Sequence, residues 1–282
     1  MEKYAIVIDS CVYLLDEEIE KFGIKRVSLN ILDGDKSYKE SDVTNDFVYD
    51  RLDSGHKLTT SQPSPGEFLN TYEEFLDMGY EKIFVVCFSK ELSGTYQSAI
   101  LAKQMLDVPE SVHVFDTNLA AFGNEMLTFK IVEMIKNKNS FEEIIKRIDS
   151  LSKVSNLIFT IENLTGLIRS GRLSRTKGAI GTVLRIKPLI QMKDGKLDLF
   201  KSARTHKKVI EELILRVKET TKNFNTIYVR ILSHNSKEQA KVLRDELERV
   251  FKNTKISYTE NLGPIFCLHL GKKGYGLSWC GE

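Results

Sequence analysis

Two hydrophobic rhythms run along this chain, and their arrangement changes near residue 152. Before that point, short apolar runs of strand length alternate with stretches whose apolar residues recur at helical spacing. The runs lie at 4–9, 24–32, 82–88 and 112–117, and helices are predicted over about 16–22, 44–52, 64–78, 96–106, 120–138 and 140–151. Run 82–88, Lys-Ile-Phe-Val-Val-Cys-Phe, is nearly unbroken in its apolar character. That is the pattern of a strand buried on both faces of a parallel sheet. Strand and helix in alternation therefore predict an α/β fold with helices on both sides of the sheet. Asp33-Gly34-Asp35 turns the second run back through Ser37-Tyr38, so 24–43 reads as a small β excursion. Helix starts are marked by Thr44, by Ser64 with Pro65 and Glu67, and by Ser140 with Glu143. The last two have the capping-box spacing.

Beyond 152 the order differs. A strand is expected at 157–161 and a second, short one at Pro188-Leu189-Ile190, with two short helical segments rich in small residues (Gly178, Ala179, Gly181) between them. Asp194-Gly195 is a strong hairpin signal before a strand at 196–202. Thr205 caps a helix to about 221, 226–233 is a strand, Ser236 with Gln239 caps a helix to about 250, and 255–260 is a strand. The hairpin implies antiparallel pairing, so this half reads as α+β. The predicted division is an N-terminal domain over 1–152 and a C-terminal one over 153–282.

Bulk composition agrees with two globular domains: 282 residues, 41% hydrophobic and 28% charged. No apolar run approaches the roughly 18 residues of a membrane span. Stable membrane insertion is therefore not expected. Cys11, Cys87, Cys267 and Cys280 are too far apart for a C-x-x-C metal site and too few for a disulfide framework. Reduced thiols in the cytoplasm, with no metal and no cofactor, are the expectation.

Charge changes this picture. Residues 169–208 hold twelve Lys/Arg against Asp194 and Asp198, a local +10 in a chain whose total is +2. Segregation on this scale suits an anionic partner, although a solvated basic face has the same pattern. Within it Arg169-Ser170-Gly171-Arg172 sets two guanidinium groups around a glycine turn, a geometry suited to oxyanions. Ser93-Gly94-Thr95 lies between a strand and a helix, where backbone N–H groups bind anions. Ser93 would add a hydroxyl there, or serve only as a helix cap. Asp9-Ser10 and Asp116 end strands at the edge where ligands of open α/β sheets bind. Thr60-Ser61-Gln62 reads as a polar loop ahead of a helix. His269, among Gly263, Gly271, Gly274 and Gly276, would have few side-chain neighbours and ready access.

Taken together these pieces resemble the DegV family of bacterial fatty-acid-binding proteins along the whole chain. The matching residues are Asp9-Ser10, Thr60-Ser61-Gln62-Pro63, Leu92-Ser93-Gly94-Thr95-Tyr96-Gln97-Ser98-Ala99 and Asp116-Thr117. In the second half they are Ser170-Gly171-Arg172-Leu173, Ile186-Lys187-Pro188, Ala203-Arg204-Thr205, Gly263-Pro264 and His269-x-Gly271. The chain departs from the family pattern at Cys11, where threonine is usual, and at Lys272-Lys273, where small residues are usual. The resemblance implies a two-domain α/β protein holding one long-chain fatty acid in a tunnel between its domains. It implies that Thr60, Ser93, Gly94 and His269 bind the carboxylate, with Arg172 and Arg204 at its mouth or facing a partner. That partner is a separate fatty-acid kinase, which phosphorylates the presented carboxylate to an acyl phosphate. A carrier of this kind is not itself an enzyme and has no catalytic residues. The energetics suit it: ten buried methylenes contribute on the order of 8 kcal/mol, and the carboxylate needs donors in compensation.

Two other classes compete. An acyl-ester hydrolase would use Ser93 as nucleophile and His269 as base, with only Asp9 or Asp116 available to orient the histidine. A nucleic-acid binder would use the basic window, but its cations are not interleaved with aromatics and the rest of the chain carries −8. No nucleic-acid partner is expected.

Overall fold

The computed structural model describes residues 3–162, 164–173, 186–260 and 262–282. It comprises two compact units, Met1–Lys153 with Gly263–Ile265, and Val154–Leu262 with Phe266–Glu282.

Unit 1 contains β1 (Tyr4–Asp9), α1 (Asp16–Phe22), β2 (Ile24–Val27), β3 (Asn30–Asp33), β4 (Lys36–Lys39), α2 (Asn45–Asp53) and β5 (Leu58–Ser61). It continues with α3 (Pro65–Asp77), β6 (Lys82–Val86), α4 (Thr95–Gln104), β7 (Val112–Phe115), α5 (Phe122–Lys136) and α6 (Phe141–Val154). Among the described residues β2, β1, β6 and β7 form one sheet in that order, every pair parallel. The unbroken apolar run behaves as expected: Ile83 to Val86 are all fully buried. Phe68, Tyr72 and Phe75 of α3 and Ala99 and Ala102 of α4 pack with Ile83 and Val85 on one face. Phe84, pointing the other way, meets Phe141 of α6 with ring centroids 4.8 Å apart. The capping signals are realised: Thr44 Oγ1 accepts from Phe47 N, and Ser64 with Glu67 closes a capping box.

The run 24–32 is not one strand. Backbone N–H of Leu29 donates to Ser10 Oγ (3.0 Å), and past this point the chain leaves the parallel sheet. β3 instead pairs antiparallel with β4 and β5 in a separate three-stranded sheet. Thr60 and Ser61, expected in a loop, end β5, with Thr60 opposite Ile31.

Unit 2 contains β8 (Asn156–Ile161), α7 (Thr165–Arg169), β9 (Lys187–Lys193), β10 (Lys196–Ala203), α8 (His206–Thr221) and β11 (Ile227–His234). Then follow α9 (Lys237–Val250), β12 (Thr254–Glu260), α10 (Pro264–Leu270, whose first residues belong to unit 1) and β13 (Gly274–Gly281). The sheet order is β10-β9-β8-β13-β11-β12, antiparallel except between β11 and β12. Asp194 (φ 49°) and Gly195 (φ 76°) make the β9–β10 turn, both in the left-handed region that such a hairpin requires. Leu213 and Val217 of α8 and Leu243 and Leu247 of α9 bury against Tyr275, Leu277 and Trp279 of β13. The glycine-rich C-terminal stretch is thus a helix followed by a central strand. Ser236 does precede α9, but its side chain makes no cap hydrogen bond. The helical segments expected around Gly178, Ala179 and Gly181 lie outside the described residues.

Candidate functional site

In unit 1 the end of β5 runs against the turn entering α4. A Cβ on Gly94 would stand 1.7 Å from Gln62 Oε1, so glycine is what lets the Gln62 side chain lie across this turn. Gln62 Nε2 donates to Ser98 Oγ (3.1 Å), tying the strand end to the first turns of α4. Ser93 is not the cap: Gly94 holds that position. Instead Ser93 Oγ accepts from Thr95 N (3.3 Å) and shares a hydrogen bond with Thr95 Oγ1 (2.8 Å). Ser93, Gly94 and Thr60 are all half-buried. Their surroundings supply hydroxyls and helix-start N–H groups, the donor set a carboxylate requires.

The strand-end acids do other work. Both Asp9 oxygens accept backbone N–H, from Cys11 (2.9 Å) and Phe88 (2.6 Å). Burial pushes its pKa up to about 7 against the lowering effect of those bonds. Ser10 Oγ donates to Glu40 Oε2 (2.5 Å), and Glu40 Oε1 accepts from Tyr13 Oη (2.9 Å) and Ile265 N (3.1 Å). Glu40 is 4% exposed, and burial raises its pKa. Asp9 ends β1 as expected, and these carboxyls knit loops together inside unit 1. Asp116 is held by Lys90 at 2.5 Å. Of the two acids a hydrolase triad could use, Asp9 has both oxygens bound to backbone N–H groups, and Asp116 is ion-paired to Lys90 through Oδ2.

In unit 2, His269 lies in the last turn of α10. A Cβ on Gly166 of α7 would be 2.3 Å from the His269 carbonyl oxygen, so the two helices touch backbone to backbone. Gly171 (φ 71°) then turns the chain, and Arg172 donates to Ser170 O (2.7 Å). The result places two cations by the histidine. Burial first, then the charges of Arg172 and Arg169, hold His269 down at about 4. The ring is half-buried rather than openly accessible as expected, and it is neutral at pH 7. Arg204 is exposed at the turn entering α8 and is not among the charges acting on His269.

The Arg169-Ser170-Gly171-Arg172 spacing marked both guanidinium groups in the sequence, but not their place beside His269. The loop before α5 gave no signal. Ala121 there is buried with φ 44°, a strained conformation for a residue with a side chain. Ser89 N donates to Leu119 O of this loop (3.0 Å), and Ser89 O in turn accepts from Ser93 N (3.2 Å). The strained segment therefore buttresses the Ser93 turn. Among the described residues no group of three or more His, Cys, Asp or Glu is placed to hold a metal. No described helix is long and apolar enough to cross a membrane. All four cysteines are buried thiols.

Residues 3–282 match the model of a family described as an uncharacterised protein, DegV family. A DegV domain-containing protein of Listeria innocua is 32% identical over 282 residues, covering 99% of this chain and 98% of that one. Among solved structures, a fatty-acid-binding DegV family protein from Thermus thermophilus is similar with a TM-score of 0.91 at 27% identity, covering 99% of this chain and all of the other. DegV of Bacillus subtilis, described as a fatty acid binding protein, is similar at 28% identity and a TM-score of 0.85, with each chain covered in full.

Proposed function

The chain belongs to the DegV family, and we propose on that premise that it binds a long-chain fatty acid and is not itself an enzyme. The observation that carries the reading is the whole-chain likeness to DegV proteins described as fatty-acid binding. The donor sets support it. Thr60, Ser93 and Gly94 in unit 1 and His269 in unit 2 are the groups proposed to serve the carboxylate. A neutral histidine beside Arg169 and Arg172 is a fitting receptor for an anion: the arginines repel a proton but attract a carboxylate. No cofactor enters the proposal. The buried thiols fit a reducing compartment, and the cytoplasm is the proposed location.

The finer part of the proposal is presentation of the bound carboxylate to a separate fatty-acid kinase, which converts it to an acyl phosphate. Arg204, exposed and without a resolved role in His269 electrostatics, is the residue assigned to that encounter. In a reconstituted assay with kinase and ATP, Arg204→Ala should slow acyl-phosphate formation, most at low salt, and leave fatty-acid affinity intact.

Lipid extraction of the purified protein, followed by mass spectrometry, tests the binding reading. One fatty acid per chain is expected. An extract without stoichiometric lipid, together with no uptake of added palmitate or oleate, would overturn it.

A further inference from the structure

A polar cavity in unit 2, of about 570 Å³, lies at one end of the six-stranded sheet, and neither His269 nor its arginines line it. It opens where β8 and β11 end and where α8 and α9 begin. Its walls carry Thr160, Lys187, His206, Lys273 and the first turn of α9.

Three observations converge there. The first is the start of α9, a 14-residue helix that begins just after β11. Asn235, with φ 47°, reverses the chain between strand and helix, and its Nδ2 donates to Lys272 O (2.9 Å), fixing the turn beside Lys273. Ser236 makes no side-chain cap bond, so its hydroxyl leaves the N–H groups of the first turn to another acceptor. The neighbouring α8 is different: Thr205 Oγ1 accepts from Lys208 N (3.2 Å). An uncapped helix start with positive dipole and aligned donors is suited to an anion.

The second observation is independent of any helix. Thr160 is 3% exposed and lines the cavity, yet its hydroxyl has no hydrogen-bond partner. In register it lies opposite Tyr275, and Tyr275 in turn lies opposite Ser233, whose buried hydroxyl also lacks a partner. Two orphaned hydroxyls on one row of a sheet run against the rule that buried polar groups are satisfied. A ligand that accepts a hydrogen bond within the cavity would satisfy Thr160.

The third observation is charge. Lys187, Lys237 and Lys273 line the space, with Lys237 already 3.5 Å from Glu260. His206, whose Nδ1 meets Tyr275 Oη at 2.9 Å, is held below the ordinary histidine range by burial and by Lys187. Glu162 and Glu238 also line the cavity. They oppose a bare anion but accept hydroxyl groups, and the volume is that of a small-molecule pocket.

We propose that this cavity binds a small phosphate monoester bearing hydroxyl groups, its phosphate held by the α9 start, the Thr160 hydroxyl and Lys187 or Lys273. The site does not depend on fatty-acid binding, and failure of the lipid reading would leave it standing. The test uses the full chain and three probes followed by calorimetry at fixed ionic strength: inorganic phosphate, glucose 6-phosphate and glucose. Glucose 6-phosphate should bind saturably and more tightly than inorganic phosphate, and glucose should not bind. Thr160→Val, nearly equal in shape, should weaken glucose 6-phosphate about tenfold through loss of a bond to a charged group, while Thr160→Ser should retain binding. Lys187→Met should weaken it as well. Absence of saturable binding of either phosphate would overturn the proposal. So would a Thr160→Val protein that melts higher and binds glucose 6-phosphate unchanged, since the hydroxyl would then be only a buried orphan.

Discussion

Two glycines, each in contact with a group of the candidate site, allow a sharp test of which contacts are rigid. A methyl at Gly94 would fall 1.7 Å from Gln62 Oε1; at Gly166 it would fall 2.3 Å from His269 O and 2.9 Å from His269 C. By distance alone Gly94→Ala is the worse change, but the expected order is the reverse. Gln62 Oε1 ends a rotatable side chain, which can swing away at the loss of its bond to Ser98 Oγ, about 1 kcal/mol. The obstacle at Gly166 is helix backbone. Restoring ordinary contact there requires α7 to retreat from α10 by roughly 1 Å, an overpacking cost of about 3 kcal/mol. Better helix propensity of alanine returns about 1 kcal/mol, leaving Gly166→Ala about 2 kcal/mol less stable. That is a fall of about 4–8 °C in melting temperature for a chain of this size. The retreat also carries Arg169 and Arg172 away from His269. Its pKa, about 4 in the native protein, should therefore rise toward the ordinary histidine value. Proton NMR titration of the His269 ring reads this directly, and thermal melts of both variants read the stability. A Gly166→Ala protein that melts no lower than Gly94→Ala, with His269 still titrating near 4, would refute the backbone-contact argument.

Ser93→Ala should weaken fatty-acid binding by about 1–3 kcal/mol, measured by calorimetry with a delipidated protein. Because Ser93 Oγ also accepts from Thr95 N, unliganded stability should drop by about 1 kcal/mol too; a stability change with affinity untouched would make Ser93 purely structural. For His269 the pKa is lowered on folding, so its contribution to stability is present above the unfolded value of 6.5 and lost as pH falls through about 4. Asp9 acts in the opposite sense: its pKa is raised to about 7, so its contribution is present below 3.8 and lost as pH rises through about 7. In urea titrations the stability difference between the wild-type protein and His269→Gln should therefore grow between pH 4 and 6.5, and a flat difference would contradict the buried-histidine assignment.

The sheet of unit 1 was legible because each of its strands carries its own evidence. Four parallel neighbours need burial on both faces, and 82–88 has it in sequence. Capping boxes at Ser64 and Ser140 are equally local, involving residues three apart. What was not legible depends on partners distant in sequence. The break at Ser28-Leu29 is set by Ser10, and nothing in 24–32 itself marks it. Thr60 and Ser61 looked like loop because their strand character comes from pairing with β3. The two bonds accepted by Asp9, from Cys11 and from Phe88, 79 residues away, were equally out of reach of local pattern. Arg204 and Arg172 were alike as members of a basic window, and only the fold separates a cation beside a histidine from one in solvent.

The C-terminal glycines show how one residue type can mislead in a specific way. Around His269 they suggested an open, accessible ring. In the fold they instead allow close approach. A Cβ at Gly276 would lie 2.4 Å from Ile158 O and 2.5 Å from Phe159 Cα, and one at Gly274 would lie 2.9 Å from Thr160 O. These glycines let β13 settle between β8 and β11 as a central strand. His269 is consequently not a loop residue but the end of a short helix leading into that strand, pressed against α7 at Gly166. Its depressed pKa follows from the same packing: burial is the larger cause, and the nearby charges of Arg172 and Arg169 add to it. The contact at Gly166 and the surroundings of His269 are therefore linked. Substituting the glycine is a more incisive probe of the histidine than substituting the histidine itself, because the imidazole survives to report on what surrounds it.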